Sequence, residues 1–279
     1  MTDQIEYWNG AAGQRWVAEQ DALDAMLRPF GDAALAAARP ARDEAVLDVG
    51  CGCGDTSLVL AGLVGRGGRV VGLDASAPML ARARERLSSP SNVTFVEGDA
   101  SAEPVERGTF DLLFSRFGVM FFPDPAVAFG RLRTRLRPGG RLAFVCWKAL
   151  ADNPWAAVPF EAAASVLGRP DPQGPDAPGP FSFGDPARVH SILESAGFRH
   201  VDLRPFEDRV AFGSSDALDD VAREMARIGP AACLLADRSE TDVERAVAAI
   251  QAVLPPHVDP RGGVSLAAAV WIVTARNIA

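Results

Sequence analysis

The chain is short of the groups that usually mark a secreted or metal-bearing protein: among 279 residues there are four cysteines, three histidines and one tyrosine. Cys51, Cys53, Cys146 and Cys233 are too few and too scattered for a disulfide framework. One residue separates Cys51 from Cys53, which is not zinc-pair spacing, so both read as small fillers of a tight turn. Acids and histidines do not cluster either; Asp152 and Asn153 are the only suggestive pair, and no metal is expected. No apolar run approaches the roughly 18 residues of a membrane span, and the opening "MTDQIEYWNG" lacks a basic region followed by an apolar one. A cytoplasmic protein without a membrane span is expected. Positive charge is also scarce, with 28 basic against 36 acidic residues and a net of −8. Arg131, Arg133, Arg135 and Arg137 come nearest to a basic patch, but that spacing spreads them around a helix, so nucleic acid is not an expected partner.

What the chain does have is regular alternation. Helical spacing over 21–38, interrupted by Pro29 and Gly31, predicts two short helices. Then come a strand at 45–50, a helix at 55–64, strands at 69–74, 93–99, 110–115 and 141–147, and a turn at 137–140. Ser76 with Pro78, and Asp124 with Pro125, give helix starts between them. Strands and helices in this rhythm mean parallel βαβ units: an α/β, Rossmann-like, doubly wound sheet that binds ligands outside the carboxyl ends of its strands. After Leu150 a Pro- and Gly-rich loop (168–186), a helix begun by Asp185, a strand at 201–212 and a strand at 266–275 follow. The helices between these two strands predict an insertion at 214–262 before the last strand.

The stretch "VLDVGCGCGDTS" (46–57) carries the chemistry. Gly50, Gly52 and Gly54 let the main chain turn sharply between a strand and a helix, and the helix points its free N–H groups into that turn. Asp74 closes the next strand 20 residues after Gly54, where a carboxylate can accept from ribose hydroxyls. The pattern calls for a nucleoside-containing cofactor. A dinucleotide fingerprint would want glycine at 55, where Asp55 would repel a pyrophosphate. A ligand with a sulfonium and an ammonium group would sit well beside acids.

"VLDVGCGCGDTS", "GLDAS", "VEGDA", "FDLLFSRFG" and "LRPGGRL" stand in the order and spacing of the class I S-adenosylmethionine-dependent methyltransferases. The chain resembles their small-molecule type, which includes the ubiquinone and menaquinone methylating enzymes, over roughly residues 45–147. The resemblance implies S-adenosylmethionine as cofactor and S-adenosylhomocysteine as product. It puts Asp48 with Gly50, Gly52 and Gly54 at the methionine portion, Asp74 at the ribose, Ala75, Ser76 and Met79 along the adenine, Asp99 at the adenine amino group and the N–H of Ala100 at the ring. Ser115, Arg116 and Phe117 would lie beside the transferring methyl; Arg116 is read either as an ion-pair partner or as a substrate-orienting group, and Met79 either as core or as cofactor wall. "SRFG" replaces the Asn/Asp-Pro-Pro-aromatic segment of enzymes that methylate amino groups on bases.

The domain plan expected is an N-terminal helical lid (1–40), a cofactor-binding core (41–150) and a C-terminal part of the same domain (151–279), with insertions at 151–184 and 214–262 covering the substrate. In the resembling enzymes the N-terminal segment folds over the cofactor, which here implies a lid carrying Trp8, with Arg15 near the methionine carboxylate. Tyr7, Phe121, Trp147, Trp155, Phe181 and Met225 are candidate substrate-pocket residues, suited to a small aromatic or lipophilic molecule, and equally suited to packing. His190, His200 and His257 read as surface residues, so no catalytic base is assigned. The function expected is methyl transfer to an oxygen, carbon or nitrogen of a small molecule. Its rivals are a nicotinamide-dependent oxidoreductase and a non-catalytic S-adenosylmethionine-binding regulator.

Overall fold

A computed structural model of the chain describes residues 2–88, 91–100, 105–171, 174 and 177–278. Three helices open it, α1 (Thr2–Asn9), α2 (Ala11–Ala18) and α3 (Gln20–Ala38). The alternating part follows as β1 (Ala45–Val49), α4 (Asp55–Val64), β2 (Arg69–Asp74), α5 (Ala77–Glu85), β3 (Val93–Glu97), β4 (Phe110–Arg116), α6 (Pro125–Arg133) and β5 (Leu136–Trp147). Beyond it lie α7 (Pro154–Leu167), α8 (Pro186–Ser195), β6 (Arg199–Ser214), α9 (Leu218–Met225), α10 (Gly229–Leu235), α11 (Glu240–Val253) and β7 (Gly263–Arg276).

The strands form one seven-stranded sheet in the order β3-β2-β1-β4-β5-β7-β6. β1 to β5 pair in parallel. Gly139 and Gly140 bond to Asn277 while Lys148 bonds to Ala269, so β7 runs antiparallel to β5. Strand order reverses between β1 and β4, and at such a switch point the connections leave to opposite faces, opening a crevice at the carboxyl ends of the strands. The strands that flank it are apolar at their centres, with Val46, Leu47, Leu112, Leu113 and Phe114 all fully buried. Burial on both faces is what a parallel sheet covered by helices requires. Helix starts are fixed locally: Ser76, Asp124 and Asp185 each accept a hydrogen bond from the first turn of α5, α6 and α8, caps worth about 1 kcal/mol apiece.

The chain divides into two compact units. The first is Met1–Cys146, Pro178–Phe206 and Val270–Ala279; the second is Trp147–Ala177 and Glu207–Ala269. The first has its core around Phe129, which stacks on Phe144 at 5.6 Å and meets Phe183 and Phe198. The second is built from α7, α9, α10 and α11, whose buried faces include Ala163, Val221, Met225, Val247 and Ile250.

Several local expectations change. The two helices expected over 21–38 are one, α3, with Pro29 inside it. A proline there costs about 3 kcal/mol, but the helix buries Leu23, Leu27, Phe30, Ala34 and Ala38, and each large apolar side chain returns about 1.5–3 kcal/mol. The turn expected at 137–140 is absorbed into β5, because Gly139 and Gly140 find hydrogen-bond partners on Asn277. The strand expected to reach residue 99 stops at Glu97. The four arginines are not spread around one helix: α6 ends at Arg133, Arg135 is buried, and Arg137 on β5 pairs with Asp111. Helix α7 has no counterpart among the expected elements; Pro154 occupies its first turn, where the missing N–H is harmless. Of the loop expected at 168–186, residues 172, 173, 175 and 176 lie outside the described residues. The helices α9 to α11 do stand between the neighbouring strands β6 and β7.

Candidate functional site

At the tip of β1 the main chain turns through Gly50, Gly52 and Gly54, all at positive φ. Gly50 N–H donates to Leu73 O at 2.8 Å, binding the turn to the end of β2. Gly52 N–H donates to Asp74 Oδ2 at 2.7 Å, so the loop and the acid expected at the ribose are one hydrogen-bonded unit. Protein neighbours crowd this turn at Gly54, where a Cβ would lie 2.7 Å from the Phe95 ring and 3.0 Å from the Ala83 Cβ; at Gly52 a Cβ would meet, at 2.8 Å, only the movable end of Met79. The collision argued from sequence was with a ligand; the structure gives Gly54 to packing as well.

Asp48 lies fully buried behind the turn. Its Oδ2 accepts from Thr56 Oγ1 at 2.7 Å and Ser57 Oγ at 2.6 Å, both in the first turn of α4. Its Oδ1 is buried with no hydrogen-bond partner among the described residues. Burial pushes the carboxyl up to about 6, against the pull of the Ser57 and Thr56 hydroxyls and of Arg116. Burial also raises Asp74, whose oxygens accept from the N–H groups of Gly52 and Ser76. Two carboxylates thus sit side by side held by hydroxyls and backbone N–H groups, with no salt bridge to either among the described residues. Cys51 and Cys53 are buried and free, and burial holds the Cys53 thiol up at about 11, so neither is poised as a nucleophile.

The N-terminal helices reach the same place. Ser76 Oγ donates to Trp8 O at 2.7 Å, Ala77 N–H donates to Asn9 Oδ1 at 2.9 Å, and Asn9 Nδ2 donates to Ala75 O at 2.8 Å. The Trp8 ring meets Tyr7, Trp16 and Phe121 edge-on, with centroids 5.2, 6.1 and 5.2 Å away. Tyr7, Trp8, Ala75, Ser76 and Phe121, predicted separately, are therefore neighbours. Asn9 was missed, although the segment around it was singled out; nothing in a lone asparagine announces which carbonyl it will reach. Arg15 is half-buried on α2, and Asp99 and Ala100 are half-buried beyond β3.

At the tip of β4, Ser115 is fully buried; its Oγ donates to Val49 O at 2.7 Å and accepts from Gly118 N at 3.2 Å. Phe117 is buried at φ +62, a conformation costly for a residue with a large side chain, and is held there by its N–H on Val145 O and by its ring against Phe30. Phe181 is half-buried on a turn fixed to Met120 O by Gly179 N–H and Ser182 Oγ. Trp147, Trp155 and Met225 belong to the second unit and are buried there. The two indoles lie 4.8 Å apart, and Trp155 Nε1 donates to Asn153.

A protein family described as a methyltransferase domain matches residues 46–140. The demethylmenaquinone methyltransferase of Staphylococcus aureus is 31% identical over an alignment of 175 residues that covers 59% of this chain and 72% of that one. The chain belongs to the class I S-adenosylmethionine-dependent methyltransferases. Solved structures share the fold. A Bacillus halodurans protein described as a methyltransferase is 20% identical with a TM-score of 0.58, covering 89% of this chain and 99% of that one. Haemonchus contortus phosphoethanolamine N-methyltransferase 2, solved with S-adenosyl-L-methionine, is 18% identical with a TM-score of 0.60, covering 99% of this chain and 60% of that one.

For this methyltransferase one reading of a single residue changes and another is decided. Asp55 was argued to repel a pyrophosphate by its charge, but it is neutralised by Arg116 at 2.9 Å and Arg86 at 3.4 Å. Of the two readings of Arg116, ion-pair partner or substrate-orienting group, the structure shows the ion pair, with its guanidinium on Asp24 and Asp55. A hollow of about 290 Å³ beside that pair is lined by Arg28, Asp32, Leu35, Asp55, Thr56 and Val59 among others, and by none of Gly50, Gly52, Asp74 and Asp99. No helix among the described residues is long and apolar enough to cross a membrane.

Proposed function

We propose that the protein transfers a methyl group from S-adenosylmethionine to an oxygen, carbon or nitrogen atom of a small aromatic or lipophilic molecule, and that the turn at β1 with the tips of β2, β3 and β4 holds the cofactor. One observation carries the site assignment: Asp48 and Asp74, both raised by burial, flank the glycine turn with no salt bridge to either, and Asp48 Oδ1 has no hydrogen-bond partner, among the described residues. A ligand offering hydroxyl donors and positive charge satisfies both acids. In this reading Asp48 and the Gly50–Gly54 turn serve the methionine portion, Asp74 the ribose, and Ala75, Ser76, Met79, Asp99 and Ala100 the adenine. Arg15 serves the methionine carboxylate and Phe117 the methyl side. Ser115 acts by tying the β1 and β4 tips together.

When bound, the cofactor supplies a methyl on a positive sulfur, open to in-line displacement. The chain's own task is then to align the acceptor and keep water out, worth up to roughly 7–11 kcal/mol in favourable cases. The docked α1 and α2, with Trp8 against Phe121, are proposed as the lid. Tyr7, Phe121 and Phe181, all in the first unit, support an aromatic or lipophilic acceptor, as does the similarity to a demethylmenaquinone methyltransferase. No base is assigned: His190 pairs with Glu194 on the surface and His200 is exposed. The proposed setting is the cytoplasm, in keeping with four free cysteines.

Calorimetry with S-adenosylmethionine and S-adenosylhomocysteine, then turnover with quinol, phenol and amine acceptors followed by S-adenosylhomocysteine release, tests the reading. Cofactor binding and a product one methyl heavier are expected. Thermal protection by a nicotinamide dinucleotide and not by S-adenosylmethionine would defeat it.

A further inference from the structure

Four charged side chains close a ring beside the glycine turn. Arg116 Nη2 meets Asp24 Oδ1 at 2.8 Å and its Nη1 meets Asp55 Oδ2 at 2.9 Å. Arg86 Nη1 meets the other Asp24 oxygen at 3.2 Å, and its Nη2 meets the other Asp55 oxygen at 3.4 Å. Every carboxylate oxygen thus has its own guanidinium nitrogen, charges alternate around the ring, and the sum is zero. The side chains are 9%, 9%, 19% and 20% exposed for Asp24, Arg116, Asp55 and Arg86, so removing one leaves its partners poorly solvated.

The ring's members come from four elements. Asp24 belongs to α3, Asp55 is the first residue of α4, Arg86 caps the end of α5, and Arg116 ends β4 immediately before Phe117. Arg86 Nη1 also donates to Cys53 O at 2.8 Å, inside the glycine turn. Gln20 Nε2 donates to Asp24 and its Oε1 accepts from Arg82, extending the grip along α3. Gly31 on α3 leaves space for the Arg116 stem: a Cβ there would lie 3.1 Å from Arg116 Cδ. A surface ion pair needs none of this accommodation.

We propose that Asp24, Asp55, Arg86 and Arg116 act together as positioning residues that hold the glycine turn in its cofactor-binding shape and fasten α3 to it, so that cofactor affinity depends on side chains that do not touch the cofactor. The inference rests on the cofactor assignment made above for the turn at β1. α3 continues from α1 and α2, so an intact ring keeps the N-terminal segment anchored at one end while the contacts of Trp8 and Asn9 are free to open and close at the other. Because the ring is neutral, it gives this anchorage without adding net charge beside Asp48 and Asp74.

The test compares Arg116→Gln, Asp24→Asn, the double variant, and Arg116→Lys as the conservative control. Affinity for S-adenosylmethionine and S-adenosylhomocysteine is read by calorimetry, and amide hydrogen exchange is read on the ligand-free proteins. Each neutralising single variant is expected to bind about tenfold more weakly and to exchange faster in 20–38 and 50–58 together, with Arg116→Lys in between. The double variant keeps the Asp55–Arg86 pair and restores neutrality, so it is expected to regain thermal stability over the singles while its weakened affinity persists. Wild-type affinity in the double variant, or faster exchange confined to one of the two segments, overturns the proposal. Should the single variants fail to fold, Gln20→Ala loosens Asp24 more gently and is read the same way. Should the wild-type protein bind neither compound, the cofactor assignment falls, and the linked exchange of the two segments alone decides whether the ring fastens them.

Discussion

Gly50 and Gly118 meet backbone to backbone: a Cβ on Gly50 would lie 2.6 Å from the Gly118 Cα, and a Cβ on Gly118 would lie 2.7 Å from the Gly50 Cα. The tips of β1 and β4, which flank the switch point, are closed on each other there, and Ser115 Oγ on Val49 O seals the same contact. Gly118 has an ordinary negative φ, whereas Gly50 sits at +69. Substituting each by alanine therefore separates crowding from backbone strain. Gly118→Ala is expected to cost about 1–3 kcal/mol from overpacking alone, and Gly50→Ala about 1 kcal/mol more for its left-handed backbone. Urea denaturation of both variants checks the order; equal stability to wild type in Gly118→Ala would show that the strand tips are not locked.

Asp48 titrates at about 6 in the folded protein against an ordinary 3.8, because burial disfavours its charge. A raised carboxyl holds its proton more tightly folded than unfolded, so the stability it confers is present below about pH 4 and is lost as pH rises through 6. The loss is on the order of 3 kcal/mol, and Asp74, raised in the same direction, adds to it. Asp48→Asn should flatten the fall in ligand-free stability between pH 4 and 6. In the wild type, affinity for the cationic cofactor should strengthen over the same interval as the acid ionises. Chemical denaturation and calorimetry at pH 4.5, 5.5 and 7.5 read both slopes; a cofactor affinity independent of pH removes Asp48 from the site.

Asn9 holds α1 to the β2–α5 turn through Ala75 and Ala77 while also bonding Ile5 O. Asn9→Ala removes these bonds at about 0.5–1.5 kcal/mol each. Most of the effect should appear as weaker cofactor binding rather than global unfolding, since these bonds run to the β2–α5 turn proposed to hold the adenine. Deleting residues 1–20 is the harsher version. A folded deletion protein with undiminished cofactor affinity would end the lid assignment.

Asn153 is fully buried and holds four groups: its Nδ2 donates to Lys148 O and Ala149 O, and its Oδ1 accepts from Trp155 Nε1 and Ala269 N. Asn153→Ala strands an indole N–H and a backbone N–H, and is expected to cost about 2–4 kcal/mol. Hydrogen exchange should rise first in 147–177 and 207–269, the second compact unit. No change in exchange there would mean that water replaces the amide without loss.

The order of strands and helices, the glycine turn, Asp74 at the second strand tip and the family were legible in the sequence, because each is a local pattern: alternation, helical spacing, a cap, a run of glycines. Errors arose where a local signal met a distant partner. Pro29 did not break α3, since the buried face of that helix outweighed one missing hydrogen bond, and 137–140 did not remain a turn because Asn277 supplied its missing hydrogen bonds. Tertiary structure alone decided that Arg116 pairs with Asp24, 92 residues away, that Gly118 abuts Gly50, and that one oxygen of Asp48 is left without a partner among the described residues. Such pairings are set by how α3, α4 and β4 pack against one another, and packing between elements far apart in the chain leaves no periodic trace in the order of residues.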